Sequence, residues 1–589
     1  MTYLTPGEPK KRVKYFRWLV IGLTALFAFR LVDLQVIQAE SINKISYENR
    51  AVTRTIPALR GDIVDSTGEI LARTVYRYDI NAAPSKVMPV SRKVNGQSVM
   101  IPVEQVATEL ATILEMTPAE VMAKIIGTGE YAQIKKRVDA EGYRKIRSLN
   151  IPWIYYDPIP SRLYPNGAVA GSLLGYLNSE GVPVEGIETT FNSCLAGVDG
   201  QETFEKGVDG IKIPSSTITT QAAVNGRTVH LTINADLQYF AQQVLTSEVA
   251  RLRADWAVAT VVEVKTGKIL AAAEAPSVDP NKPGDVNSVD RGSRVFRFMF
   301  EPGSTLKTIT AATAIDQGKA TPATRVIAPY AWTVPGTNGY QVTDSHVHGD
   351  DKLTLAGVLR DSSNTGIMKI GQAVDYKTRY TYLKKFGLGQ KTNAGYPGEE
   401  AGLLNNVDQW DGIKKYVSMF GQGVSITPIQ SAMMYQTIAN KGVRLLPQLV
   451  EGCDDVNGNL QSLEAKAPIR VVSEATAKST LDAIEKVVEQ GGIGKTAQVP
   501  GYRVAGKTGT AQIAKGSGGY SGRYAVSFIG TAPVENPQFV VAVTVYKPRT
   551  VSNSIGATPS FKRIMQQLLR TYRVPPSTTK SANIPTEWK

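Results

Sequence analysis

Glu301-Pro302-Gly303-Ser304-Thr305-Leu306-Lys307 opens a helical run that ends near Gly318. Ser304 and Lys307 are three residues apart, so a helix places them on one face at its start. Pro302-Gly303 keeps the helix from starting earlier and exposes the Ser304 hydroxyl. That hydroxyl needs a base, and no histidine is near it in sequence. Lys307 can serve if its pKa falls far below the ordinary value of about 10.4. Burial and a second ammonium both push it down.

Two more short patterns follow in order. Ser362-Ser363-Asn364 sits between two helical patterns, and Lys507-Thr508-Gly509-Thr510 lies on a strand-like stretch. Lys507 supplies the second ammonium. Ser362 can relay a proton to a leaving amine, and Asn364 can hold Lys307 and a substrate amide. Gly509 lets the strand backbone approach a substrate. Thr508 and Thr510 can bind a carboxylate through their hydroxyls, and the backbone N–H groups of Ser304 and Thr510 can form an oxyanion hole. Each pattern alone is weak: Ser41-Ile42-Asn43-Lys44 also fits the first, and Lys265-Thr266-Gly267, read as a hairpin turn, fits the third. All three in order, each in its structural context, are far more specific. Together they resemble the triplet of penicillin-binding proteins and serine β-lactamases.

Competing readings are weaker. Gly501 to Thr508 matches a phosphate-binding loop letter for letter, but a phosphate loop needs a strand before it and a helix after it. Gly491 to Pro500 reads as no strand, and too few residues precede Gly516 for a helix. Asp344, His346, His348 and Asp350 imitate a metal cluster, although polar residues alternating in a loop are more often solvated. No metal and no cofactor is expected.

The chain has 589 residues, with 66 basic and 52 acidic side chains and a net charge of +14. Apolar residues make up 42%, which excludes a mainly disordered chain, a collagen or a multi-pass membrane protein. Two cysteines, Cys194 and Cys453, exclude a disulfide-rich scaffold and a multi-cysteine metal site. The basic excess points to an anionic neighbourhood.

Residues 1–17 carry Lys10, Lys11, Arg12, Lys14 and Arg17 against Glu8. The apolar stretch Trp18 to Ile37 would span about 30 Å as a helix, one bilayer core. We read 1–17 as a cytoplasmic basic tail and 18–38 as an uncleaved transmembrane anchor, since no small-x-small cleavage site follows. Arg30 and Asp33 could pair with each other or meet a partner membrane helix. Val103 to Met116 reads as a helix, and Thr117-Pro118-Ala119-Glu120 as a capping box opening another. Ser161 to Gly200 reads as loops and short strands. From Thr228 onward strands at both ends enclose helices, the pattern of one α+β domain whose antiparallel sheet is closed by both chain ends. Residues 576–589 read as a flexible tail.

Over roughly residues 10 to 570 the chain resembles a class B penicillin-binding protein, and most of all the septal, cell-division branch. The resemblance rests on the triplet and on Arg30-Leu31-Val32-Asp33-Leu34-Gln35. It also rests on Arg60-Gly61-Asp62-Ile63-Val64-Asp65 with Gly68, Leu71 and Ala72, on Arg162-Leu163-Tyr164-Pro165 with Gly175, and on Gly186-Ile187-Glu188. Ser277-Val278-Asp279-Pro280-Asn281, Phe420-Gly421-Gln422-Gly423 and Thr427-Pro428 complete it. Ser66-Thr67 and the single Gly556 depart from the family pattern. The resemblance implies a penicillin-binding transpeptidase fold, an antiparallel sheet flanked by helices plus an all-helical subdomain. That domain, 223–575, would stand on an elongated pedestal, 39–222, behind one membrane helix. It implies peptidoglycan D,D-transpeptidation: Ser304 attacks the penultimate D-Ala of a stem peptide, terminal D-Ala leaves, and a neighbouring amine resolves the acyl-enzyme. β-Lactams would acylate Ser304. In the septal branch the implied partners are a SEDS-family glycan polymerase and divisome membrane proteins; nucleic acid is not expected. The rivals are an elongation-type transpeptidase and a D,D-carboxypeptidase or β-lactamase that hydrolyses the same acyl-enzyme. Glu400-Ala401-Gly402-Leu403-Leu404-Asn405 nearly matches a deacylating motif, with asparagine one place late.

Overall fold

Runs of valine and alanine build the sheet that carries the site. Trp256–Glu263, Ile269–Ala275 and Phe539–Tyr546 are almost wholly buried along their length, as strands covered on both faces are. The computed structural model describes residues 9–589 except 95, 208–212, 465, 516–518 and 552. Residues 1–8 of the expected cytoplasmic tail and 516–518 of the glycine-rich connection lie outside the described residues. The five-stranded sheet runs Ile269–Ala275, Trp256–Glu263, Phe539–Tyr546, Tyr520–Ala532, Ala505–Ala514, antiparallel throughout. Its centre joins a strand from the start of the domain to one near the end, as expected. Lys265-Thr266-Gly267 is the turn of the first hairpin, with Gly267 at φ +74.

The Ala235–Leu252 and Thr558–Thr571 helices pack together on this sheet, and the Pro428–Ala439 and Glu474–Glu485 helices pack on it as a second pair. The Lys307–Asp316 helix, hereafter the serine helix, is buried from Lys307 to Ala314. It packs among Asn364–Gly371 and Glu474–Glu485. Helices thus flank an antiparallel sheet closed by both ends of the domain, the α+β pattern expected from Thr228 onward.

The compact units do not follow the expected boundary at 222. Residues 60–196 and 226–589 form one unit. The reason lies in a second sheet, where Ile63–Val64 pairs in parallel with Val229–Leu231 and antiparallel with Ile70–Ala82. One hydrophobic core contains Ile63, Leu71, Tyr164 and Leu173 together with the transpeptidase sheet. The family residues quoted from this region converge. Glu188, fully buried, accepts from Arg60 Nε at 2.6 Å and Arg162 Nε at 2.6 Å, and from Tyr164 Oη at 3.2 Å. Asp65 Oδ2 accepts from Ala235 N at 2.8 Å, anchoring the start of the Ala235–Leu252 helix. Cys194 and Cys453 form a disulfide across a sequence separation of 259. Helices Val103–Leu114 and Pro118–Ile125 stand where periodicity put them, the second with its capping box. Ser161 to Gly200 differs from expectation. Short helices Gly171–Leu174, Gly186–Thr190 and Asn192–Leu195 fill it, because its glycines bound single helical turns.

Residues 1–59 and 197–225 form the other unit, with a sheet of Ala51–Ile56, Gly200–Glu205 and Ile218–Gln221. Its helix Pro9–Val32 continues as a π turn, Asp33–Ile37. Pro9–Ile37 is the one helix among the described residues long and apolar enough to cross a membrane. Arg30 pairs with Asp33, which also accepts from Gln38 Nε2 at 2.8 Å.

The residues expected to form a tail have partners along their length. Ser577 N donates to Gly501 O at 2.9 Å, Thr354 N donates to Thr586 O at 3.0 Å, and Trp588 Nε1 donates to Leu353 O at 3.0 Å. The cations of Arg325 and Lys352 lie over the Trp588 ring, 5.6 and 5.4 Å from its centre. The polar, proline-bearing composition suggested disorder. The edge of Asp351–Thr354 and the side chain of Arg360 give the segment partners instead.

Candidate active site

Ser304 lies on a 3₁₀ turn, Gly303–Leu306, that leads into the serine helix. The Lys307 N–H closes that turn on the Ser304 carbonyl. The turn is held from several sides. Tyr435 Oη donates to Thr305 O at 2.8 Å, Thr310 Oγ1 to Met419 O at 2.7 Å, and Gly303 N to Gly421 O at 3.1 Å. A Cβ on Gly421 would stand 2.2 Å from Gly303 O, so the Phe420–Gly423 wall lies directly against the serine turn.

Lys307 and Lys507 are both fully buried and converge on Ser362. Lys507 Nζ donates to Ser362 Oγ at 2.8 Å. Lys307 Nζ donates to Ser362 Oγ at 3.3 Å and also to the Ser362 carbonyl. Burial pushes Lys307 down to about 7, against the pull of the Asp344 carboxylate. Lys507 is pushed well below its ordinary value, by burial first and the Lys307 charge second, with Asp361 opposing. Ser362 ends the Leu355–Asp361 helix at φ +61, a backbone conformation costly for a residue with a side chain. Two lysines share one hydroxyl, and burial disfavours the charged form of each.

Three expectations need adjusting. Asn364 Nδ2 donates to Thr343 O at 2.8 Å, so its amide is turned to that carbonyl and not to Lys307. The missing side chain of Gly509 makes room for the serine turn: a Cβ there would stand 2.3 Å from Ser527 Oγ and 2.9 Å from Thr305 Cγ2. Thr508 is buried, its Oγ1 3.1 Å from Lys507 Nζ, whereas Thr510 is exposed. Lys507 and Thr508 lie inside the long strand Ala505–Ala514, which removes the phosphate-loop reading. Glu400 is exposed and its N–H is bonded to Phe296 O; the buried neighbour Glu399 is occupied by Thr392 and Asn393. Neither is set to activate a deacylating water.

Sequence reasoning gave no role to Glu301, although it borders the serine. Its carboxylate accepts from Gly423 N at 2.9 Å and Tyr520 Oη at 3.2 Å, tying the wall to the strand hairpin; burial raises its pKa. Asp344 was legible only as part of a metal-like cluster. It is buried and accepts from the N–H groups of Asn364 and Thr365.

A serine at a helix start and two buried lysines on one shared hydroxyl, with one of the lysines on the sheet, have the make-up of a serine acyl-transferring enzyme. The penicillin-binding protein transpeptidase domain matches residues 257–566, and the penicillin-binding protein dimerisation domain matches residues 55–231. Penicillin-binding protein PbpB of Mycolicibacterium smegmatis is 34% identical, covering 94% of this chain and 89% of its own length. Peptidoglycan D,D-transpeptidase FtsI of Escherichia coli is 30% identical, covering 97% and 95%. The crystal structure of penicillin-binding protein 3 from Mycobacterium tuberculosis complexed with ampicillin superposes with a TM-score of 0.70 at 28% identity, covering 91% of this chain and 100% of that one. The chain belongs to the class B penicillin-binding proteins, in the branch that contains FtsI.

Proposed function

We propose that this protein is the septal peptidoglycan D,D-transpeptidase of its cell, acting through an acyl-enzyme on Ser304. The observation that carries the reading is the convergence of Lys307 and Lys507 on Ser362, beside the turn that presents Ser304. A neutral Lys307 takes the Ser304 proton as the hydroxyl attacks the penultimate D-Ala carbonyl. The N–H groups of Ser304 and Thr510 receive the developing oxyanion. Ser362, bonded to both lysines, passes a proton to the departing D-Ala amine. The Thr508 and Thr510 hydroxyls, with the Lys507 charge, hold the substrate's terminal carboxylate, and Asn364 lines the peptide path. A stem-peptide amine then attacks the acyl-enzyme, regenerates Ser304 and leaves a cross-link. The relatives named peptidoglycan D,D-transpeptidase support this over hydrolysis.

The Pro9–Ile37 helix anchors the chain with its basic end in the cytoplasm and residues beyond about 38 outside. Residues 39–222 serve as pedestal and 223–575 as catalytic domain. A SEDS-family glycan polymerase and divisome membrane proteins are the partners, and β-lactams acylate the site. The test is intact mass after incubation with benzylpenicillin. One stable adduct lost in Ser304→Ala supports the reading, and rapid return of free protein supports a β-lactamase instead.

A further inference from the structure

Asp344 has no place in the three-motif reading, yet its carboxylate is committed on every side. It is 7% exposed. Oδ1 accepts from Asn364 N at 2.5 Å and from Thr365 N at 3.1 Å. Oδ2 faces His348 Nε2 at 3.1 Å. The other ring nitrogen of His348 faces Asp351 Oδ2 at 3.1 Å and Gly349 O at 2.8 Å, and the ring packs edge-on to Tyr330. The backbone holds the loop as well: Asp344 N donates to Tyr330 O at 2.8 Å.

The Asn364–Gly371 helix already has an N-cap, Ser363, whose hydroxyl accepts from Gly366 N at 2.9 Å. A helix start leaves several N–H groups without internal partners, and a carboxylate beside them is favourable. Asp344, twenty residues away in sequence, takes the two before it, the first two of the helix, and one of them belongs to Asn364 itself. The same carboxylate acts on the buried Lys307 ammonium. We propose that Asp344 is a positioning residue of the acylation machinery: it holds the Ser362–Asn364 turn in place and supplies the negative charge that faces Lys307, with His348 as the latch on its second oxygen. This rests on the transpeptidase reading above.

The charges around the pair are few. The Asp344 charge acts on Lys307, and the Lys307 charge acts on Lys507. Lys507 also faces Asp361, which is paired with Arg360. Asp344 faces His348, which meets Asp351. A negative charge on Asp344 favours protonated Lys307, so its removal favours the neutral amine and moves the onset of acylation to lower pH.

The test is the second-order rate of acylation by a fluorescent penicillin, measured against pH on the full chain in detergent. In Asp344→Asn the oxygen still accepts from both N–H groups and the charge is gone. The acid limb is expected to move down by about one pH unit. Asp344→Glu keeps the charge and misplaces the acceptor. Its limb is expected to stay near wild type while the plateau falls roughly tenfold to a hundredfold. His348→Ala is expected to lower the plateau, and His348→Gln, which keeps a donor for Oδ2, to restore it. An Asp344→Asn profile that superimposes on wild type, or moves to higher pH, overturns the proposal. If Asp344→Asn does not fold, an Asp344→Glu profile with unchanged plateau and displaced limb overturns it. Failure of the wild-type chain to label at Ser304 would sink the transpeptidase reading itself, an outcome distinct from either.

Discussion

Ser362 is contacted by both buried lysines and stands in a left-handed backbone conformation, so substitutions around it read out on both. Lys307→Arg is expected to lower acylation by about a hundred- to ten-thousand-fold, because guanidinium stays protonated and cannot act as base. With Lys307 lowered to about 7, the wild-type rate should fall as pH drops through that region, as the amine becomes protonated. Lys507→Ala removes a like charge, which favours protonated Lys307 and moves the limb to higher pH. A stopped-flow pH series checks all three; a limb that stays put in Lys507→Ala would count against coupling of the pair. The convergence of Lys307, Ser362 and Lys507 was legible in the sequence because three fixed spacings single these residues out. Asp344 was not, because a lone acid twenty residues from its partners leaves no periodic or spacing signal, and its two neighbouring histidines suggest a metal.

At the scale of elements, contacts between backbones decide the geometry. Gly509→Ala is expected to push the Pro302–Thr305 turn off the strand, since the new Cβ meets Ser527 Oγ and Thr305 Cγ2. Acylation should fall at least tenfold with secondary structure intact by circular dichroism. Glu188→Ala leaves two arginines facing an empty buried site. Its expected cost is about 3–5 kcal/mol, measured by urea unfolding; a loss below about 1 kcal/mol would refute the structural weight given to that triad. The strands and helices of the transpeptidase sheet were readable from apolar runs and helical periodicity. The pairing of Ile63–Val64 with Val229–Leu231 was not, because a strand as short as Ile63–Val64 carries no pattern and a parallel contact across more than a hundred residues is invisible locally.

In the molecule as a whole, the last residues bear on the centre. Thr586 and Glu587 hold Arg360 and Thr354, on the strand and helix that end at Ser362. Deleting residues 585–589 is expected to cost about 2 kcal/mol from the lost hydrogen bonds and to slow acylation; a deletion mutant with wild-type melting and labelling would show the segment to be idle. Composition marked this tail as disordered because composition carries no information about an edge waiting to be paired. The order of the sheet also has a consequence in time. Its central pair joins Trp256–Glu263 to Phe539–Tyr546, so the first strands wait for the last. Ser304, Lys307 and Ser362 are all made before Lys507, and a ribosome adding about 5–20 residues each second needs tens of seconds to cover the interval. Throughout that interval the nascent chain carries Ser304 and Lys307 without the second ammonium. Until the strands from Ala505 onward are made, both the sheet and the pair of lysines on Ser362 are unfinished.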